Sequence, residues 1–151
     1  MTTTRSSRLR RLAPLAAAVL ALGVFGATTS AGPASAAAQK WYSWDHDLHS
    51  GDCTLFGGAK WTIDSDGHAW FDGTVTSSSN DDAWLMWAEL RDSNGAVLTT
   101  LHNVHYYDYN DQAKFSQNLP DKHKKYRWFA DGSFNKNLYP LVAKMNLRSH
   151  C

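Results

Sequence analysis

The chain has 151 residues, with 15 Lys+Arg against 14 Asp+Glu and a formal net charge of +1. Four of the bases, Arg5, Arg8, Arg10 and Arg11, stand before residue 12 with no acid among them, which leaves 11 Lys+Arg against all 14 acids in the rest. An acidic body excludes nucleic acid and anionic membrane as the main partner, and the length admits one domain.

The basic start is followed by an apolar run, Leu12–Ala31, and then by Gly32-Pro33-Ala34-Ser35-Ala36. A basic region, an apolar region and a small-residue A-x-A site in that order make a secretory signal peptide. Pro14, Gly23 and Gly26 interrupt the apolar run, which argues against a transmembrane anchor. We expect residues 1–36 to be removed, leaving a secreted, extracellular chain with no membrane association. The two cysteines, Cys53 and Cys151, both lie in the mature part. In a secreted chain an even pair reads as a disulfide. A loop of roughly 100 residues closed this way contributes about 4–5 kcal/mol in the chain-entropy model. Three segments follow: the signal at 1–36, an N-terminal arm at 37–52, and a β domain at 53–151 closed by Cys53–Cys151.

The arm contains Trp41, Tyr42, Trp44, Asp45 and Asp47. It reads either as an edge strand or as an aromatic-acidic tether that inserts into a partner. Ala59–Ile63 then predicts a strand, and Asp64-Ser65-Asp66-Gly67 a turn. His68–Thr76 follows as a strand with Trp70, Asp72, Thr74 and Thr76 on one face. Ala69, Phe71, Gly73 and Val75 share the other face, which should look inward. After a polar loop at Ser77–Asp82 comes Ala83-Trp84-Leu85-Met86-Trp87-Ala88-Glu89-Leu90, the most apolar run of the mature chain. It is too short to span a membrane, which takes about 20 residues. It predicts a mid-sheet strand with both faces covered. Asp92-Ser93-Asn94-Gly95 is a hairpin signal, and Ala96–Val104 should pair back. His105–Asp111, with Tyr106, Tyr107 and Tyr109, reads as a strand end and loop. Lys114–Leu119 and Tyr126–Ala130 predict strands, Asp131-Gly132 a turn, Asn135–Leu141 an ambiguous segment with room for a helical turn, and Val142–Arg148 a closing strand. Seven or eight short strands at this spacing predict an all-β fold, an antiparallel β-sandwich or small barrel with one terminal disulfide. The core candidates are Ile63, Phe71, Val75, Leu85, Trp87, Val97, Leu101, Phe115, Trp128, Val142 and Met145.

Chemistry is sparse. Asp45, His46, Asp47 and His49 are ligand types in a short span, but the segment has no rigid frame of its own, and no metal or cofactor is expected. Glu89 is the single Glu, whereas a paired-carboxylate hydrolase needs two acids across a cleft. Most Asp residues fall at turns, where backbone hydrogen bonding favours them. No G-x-S-x-G elbow and no spare Cys supplies a nucleophile. We therefore read the chain as non-catalytic. Seven Trp are more than a sandwich of this size can bury, and the remainder suits a recognition surface for sugar or protein.

Gly51-Asp52-Cys53, Asp81-Asp82-Ala83-Trp84-Leu85-Met86-Trp87, Asn118-Leu119-Pro120, Tyr126-Arg127-Trp128-Phe129 and the terminal Cys151 carry a resemblance. The chain resembles an uncharacterised family of small secreted proteins of streptomycetes and related actinobacteria. More distantly, it is similar to the adaptor B subunit of streptomycete umbrella toxin particles. That resemblance implies an adaptor joining a lectin-bearing subunit to a stalk subunit of an antibacterial toxin assembly. An extended N-terminal segment, here Lys40–Asp52, would dock in a cleft of the partner. The expected function is a secreted non-catalytic protein-binding adaptor, with Trp41, Tyr42, Trp44, Asp45 and Asp47 as partner-binding residues. A carbohydrate-binding module is the alternative, and a secreted protease or hydrolase inhibitor a further one.

Overall fold

A computed structural model describes residues 36–105 and 109–151. The signal segment at 1–36, apart from Ala36, and the tyrosines Tyr106 and Tyr107 lie outside the described residues. The described chain forms eleven strands. In order they are β1 (Gln39–Trp44), β2 (Leu48–Ser50), β3 (Cys53–Leu55), β4 (Ala59–Asp64), β5 (His68–Ser77), β6 (Asp82–Arg91), β7 (Val97–Thr100), β8 (His102–Asn103), β9 (Phe115–Leu119), β10 (Tyr126–Ser133) and β11 (Lys144–His150). A 3₁₀ turn at Lys136–Leu141 precedes the last strand. All pairings are antiparallel, in a larger sheet ordered β1-β4-β5-β10-β8 and a smaller one ordered β11-β6-β7. β3 runs beside the far half of β5 and carries β2, while β9 pairs with the first half of β6. This is the expected antiparallel sandwich architecture, divided further because several pieces are only two or three residues long.

The β4–β5 turn forms as its residues predict. Asp64 Oδ1 accepts from the Asp66 and His68 N–H groups, each at 2.9 Å. Gly67 adopts φ +89°, and a Cβ there would stand 2.5 Å from the Phe134 carbonyl oxygen. Only glycine fits both conditions. With its carboxylate on turn amides, Asp64 is organising backbone.

Burial selects one phase of each strand. On β6, Trp84, Met86, Ala88 and Leu90 are all 0% exposed, while Leu85 and Trp87 remain half-exposed. The expectation that both faces of β6 are covered is therefore corrected, and Leu85 and Trp87 leave the core list. The phase of Leu85 and Trp87 also carries Glu89 and Arg91, which need solvent or ion pairing. Val97 is 52% exposed, and Met145 packs only partly against the core. Ile63, Phe71, Val75, Leu101, Phe115, Trp128 and Val142 are buried as expected.

Two boundaries also differ. The single strand expected over Ala96–Val104 breaks at buried Leu101, whose N–H donates to the Ala88 carbonyl at 2.9 Å. The chain there passes from the smaller sheet, where β7 pairs with β6, to the larger, where β8 pairs with β10. Asp131-Gly132 is not a turn but part of β10, opposite Trp70 and Ala69. Glycine suits that position because a Cβ would come within 3.2 Å of the Phe115 ring.

Rings lock the sheets together. Trp61 of β4 lies 5.4 Å from Phe71 of β5 and 5.1 Å from Phe115 of β9, and Phe71 lies 5.0 Å from Trp128 of β10. Phe115 belongs to the smaller sheet and the other three to the larger. Cys53 of β3 is bonded to Cys151 just after β11, 98 residues away, a second bridge between sheets. Cys53→Ser should lower the unfolding free energy by about 4–5 kcal/mol in denaturant titrations. Reducing the wild-type chain should reproduce the loss, and an unchanged midpoint would show that the bridge is energetically idle.

Candidate functional site

The residues singled out in 37–52 do not share one surface. Gln39–Trp44 is the edge strand β1, paired with β4 from Gln39↔Asp64 to Trp44↔Ala59. The Ser65 N–H donates to the Ala38 carbonyl, which phases the ladder. Alternate residues of an antiparallel pair exchange hydrogen bonds. Lys40, Tyr42 and Trp44 thus bond to β4, and the peptide groups of Gln39, Trp41 and Ser43 point to the open edge. The side chains divide as well. Tyr42 and Trp44 pack against the core, whereas Trp41 is 69% exposed on the opposite face. Asp45 and Asp47 lie in the β1–β2 turn, where Asp47 Oδ1 accepts the Gly57 N–H at 2.8 Å. A Cβ on Gly57 would meet the Asp45 carbonyl oxygen at 2.8 Å. The segment is therefore built into the sheet.

Lys40 clamps this edge. Its Nζ donates to the Tyr139 and Val142 carbonyls at 2.9 and 2.7 Å and lies 4.7 Å from the Tyr139 ring centroid. The 3₁₀ turn is thereby fixed beside β1, leaving a shallow, wide-open depression of about 460 Å³ lined by Gln39, Lys40, Trp41, Tyr42, Val142 and Ala143. Burial, and next the neighbouring Tyr139, push the Tyr42 phenol above its ordinary value. Its hydroxyl is buried with no hydrogen-bond partner among the described residues.

Trp41 also opens a row across the solvent face of the larger sheet. It stands opposite Thr62, Thr62 opposite Trp70, and Trp70 opposite Asp131. Beside it runs Ser43, Lys60, Asp72 and Phe129. Thr62 is only 6% exposed although it faces outward, because Trp41 and Trp70 flank it. Phe129 is 69% exposed. Arg127 Nη2 holds Asp72 Oδ2 at 2.5 Å and its guanidinium lies 5.4 Å from the Phe129 ring. His105 Nε2 lies 3.6 Å from Asp131 Oδ2. A cavity of about 420 Å³ is lined by Lys60, Trp70, Phe71, Asp72, Phe129 and Asp131. The one-face grouping of Trp70 with Asp72 is legible in the sequence. Its alignment with Lys60 and Phe129 depends on strand order and is not.

On the outer face of the smaller sheet the charged groups pair with one another, although Arg91 Nε is buried without a hydrogen-bond partner among the described residues. Glu89 accepts from Arg91 Nη2 at 2.5 Å and lies 3.1 Å from Arg148 Nε. Trp87 Nε1 donates to Asp111 Oδ2 at 2.8 Å, and Arg148 lies over the Trp87 ring. The Arg91 hydrogen bond, assisted by the charges of Arg91 and Arg148, holds the Glu89 carboxyl below its ordinary value despite partial desolvation. It stays ionised at neutral pH, the wrong form for a general acid.

Among the described residues, the group of three ligand-type side chains that converge is Cys53, Asp82 and Cys151, not the Asp45–His49 set. Both sulfurs of that group are in the disulfide, so no thiolate is available to a metal. Asp82 instead accepts a short hydrogen bond from Ser77 Oγ.

A family model matches residues 60–151. The chain belongs to the family of unknown function DUF6294. No curated protein and no solved structure matches the chain. The matched span starts in β4 and takes in Lys60, Trp70, Asp72, Phe129 and Asp131, whereas β1, β2 and Cys53 precede it.

Two substitutions separate structural from contact roles. Glu89→Gln should destabilise the fold by about 1 kcal/mol at neutral pH. A carboxylate with a depressed folded pKa stabilises above its unfolded value and loses that contribution as pH falls through the folded value. The difference between variant and wild type should therefore shrink towards zero on acidification, read by unfolding at several pH values. Tyr42→Phe should leave stability unchanged or raise it by up to about 1 kcal/mol, since it removes a buried hydroxyl without a partner. A loss of more than that would mean the hydroxyl is bonded.

Proposed function

We propose that this chain is a secreted, non-catalytic adaptor that binds an extended segment of another extracellular protein along the open edge of β1. The single observation that carries the reading is that edge. It is a run of peptide groups without a ladder partner among the described residues, beside a shallow depression at the Lys40 clamp. Such an edge templates strand addition, in which main-chain hydrogen bonds give affinity and side pockets give specificity. Edges that must stay unpaired are blunted by proline, bulges or exposed charge. β1 contains no proline, and its one charge, Lys40, is turned onto carbonyl groups. Trp41 projects beside the edge as an exposed aromatic anchor of the kind that dominates interfaces. Tyr42 and Trp44 hold the strand in place from the inner side.

The compartment and the kind of assembly belong to the same proposal. The Arg-rich start and A-x-A site, with a disulfide suited to an oxidising environment, support secretion. The resemblance to streptomycete secreted proteins and to an adaptor of toxin particles supports a multi-subunit extracellular assembly. Docking would then use a formed strand in place of a free tether.

Two variants test the edge. The Ser43 N–H points away from β4, so Ser43→Pro removes a partner-facing donor and leaves the β1–β4 ladder intact. Trp41→Ala removes the anchor. In tagged pull-downs from the producing organism's culture supernatant, the wild-type chain should recover large secreted proteins in fixed stoichiometry. Each variant should weaken that capture at least tenfold while its thermal unfolding stays close to wild type. Full capture by both variants would overturn the docking mode.

A further inference from the structure

Two exposed rings, Trp41 and Phe129, with a partly exposed third, Trp70, on one sheet face are out of keeping with the usual pattern, in which the solvent side of an antiparallel sheet is polar. Trp41, Trp70 and Phe129 occupy the outer sides of β1, β5 and β10. Trp41 and Trp70 are two strands apart, about 10 Å at the standard spacing. Phe129 is diagonal to Trp70 across the β5–β10 pair, at roughly 7–8 Å between backbones. These separations are of the order of a disaccharide unit.

The polar groups among the rings narrow the ligand. Lys60 and Arg127 face Asp72 and Asp131, so the face is charge-balanced and offers no net field to a polyanion or polycation. It presents donors and acceptors side by side, as a polyhydroxylated ligand requires. Arg127 holds Asp72 Oδ2, while Asp72 Oδ1 is buried without a hydrogen-bond partner among the described residues. The Asp72 side chain is 32% exposed, so the oxygen open to solvent is Oδ2, which keeps acceptor capacity beside Arg127 for a ligand hydroxyl. The cavity of about 420 Å³ over Trp70 and Phe129 falls in the range of small-ligand sites, about 300–1,000 Å³.

We infer that the outer face of the larger sheet is a binding platform for a neutral polysaccharide. Flat pyranose rings stack on Trp70 and Phe129, with Trp41 extending the track, and hydroxyls bond to Lys60, Asp72 and Asp131. This site is distinct from the peptide edge of β1; the two meet at Trp41 and Ser43, whose side chains lie on the face and whose peptide groups lie at the edge. The adaptor would thus hold a protein at its edge and a glycan on its face.

The test uses the secreted, disulfide-bonded chain. Affinity electrophoresis would be run in gels containing hydroxyethylcellulose, xylan or galactomannan, with calorimetric titration of chitohexaose alongside. At least one of these probes should bind and change tryptophan fluorescence. Trp70→Ala and Phe129→Ala should each weaken that binding at least tenfold, and Asp72→Asn should weaken it less. Phe129 is exposed enough that its removal leaves the fold unchanged by circular dichroism, so this variant decides the matter if Trp70→Ala misfolds. Ser43→Pro should retain full glycan binding, which separates this site from the edge. Failure of every probe to bind overturns the inference. So does binding that survives Phe129→Ala, or a preference for polygalacturonate that disappears with salt. Loss of protein capture in Phe129→Ala without any glycan binding would assign the face to a protein instead.

Discussion

The packing of Trp61 against Phe71 and Phe115, and of Phe71 against Trp128, sets the phase of three adjacent strands at once. Side chains on a strand alternate, so burying Trp61 turns Lys60 and Thr62 outward. Burying Phe71 does the same for Trp70 and Asp72, and burying Trp128 does it for Arg127 and Phe129. The register then places these outward residues opposite one another. The outward row of Lys60, Trp70, Asp72 and Phe129 is thus the geometric complement of the aromatic core. A one-residue slip in any of the three strands would put charged groups inside and destroy both together.

The open flank of the sandwich is held at its two ends by different chemistry. At one end Lys40 ties β1 to the carbonyls that precede β11. At the other the Cys53–Cys151 bond ties β3 to the residues that follow it. β11 spans the distance between them. These clamps join the edges of the two sheets without covering the outward peptide groups of β1. The edge remains accessible yet rigid, which reduces the ordering cost that a free tether would incur on binding.

The two outer faces have opposite characters for a physical reason. On the smaller sheet, Glu89 is enclosed by two guanidinium groups and Trp87 donates to Asp111, so most of the charged and aromatic groups are engaged with one another. On the larger sheet the charges are paired only in part, and the rings of Trp41 and Phe129 remain open to solvent.

Strand periodicity, turn residues and the cysteine pair were sufficient to read the β class, most strand positions, the inward face of β5 and the disulfide. Each of these is local or rests on a count. Glu89 and Arg91 in the phase of Leu85 and Trp87 even marked the solvent side of β6, a signal weaker than two large apolar side chains. The passage of the chain between sheets at Leu101 and the continuation of β10 through Gly132 were not legible. They depend on which strands become neighbours. The same holds for the site. The sequence identified an excess of tryptophan and placed Trp41 at its exposed end, but it could not divide Trp41 from Tyr42 and Trp44, because an isolated segment has no inside. Only the pairing of β1 with β4 defines that inside. Only the order β1-β4-β5-β10 brings Trp41, Trp70 and Phe129, separated by up to 88 positions in the chain, onto one face.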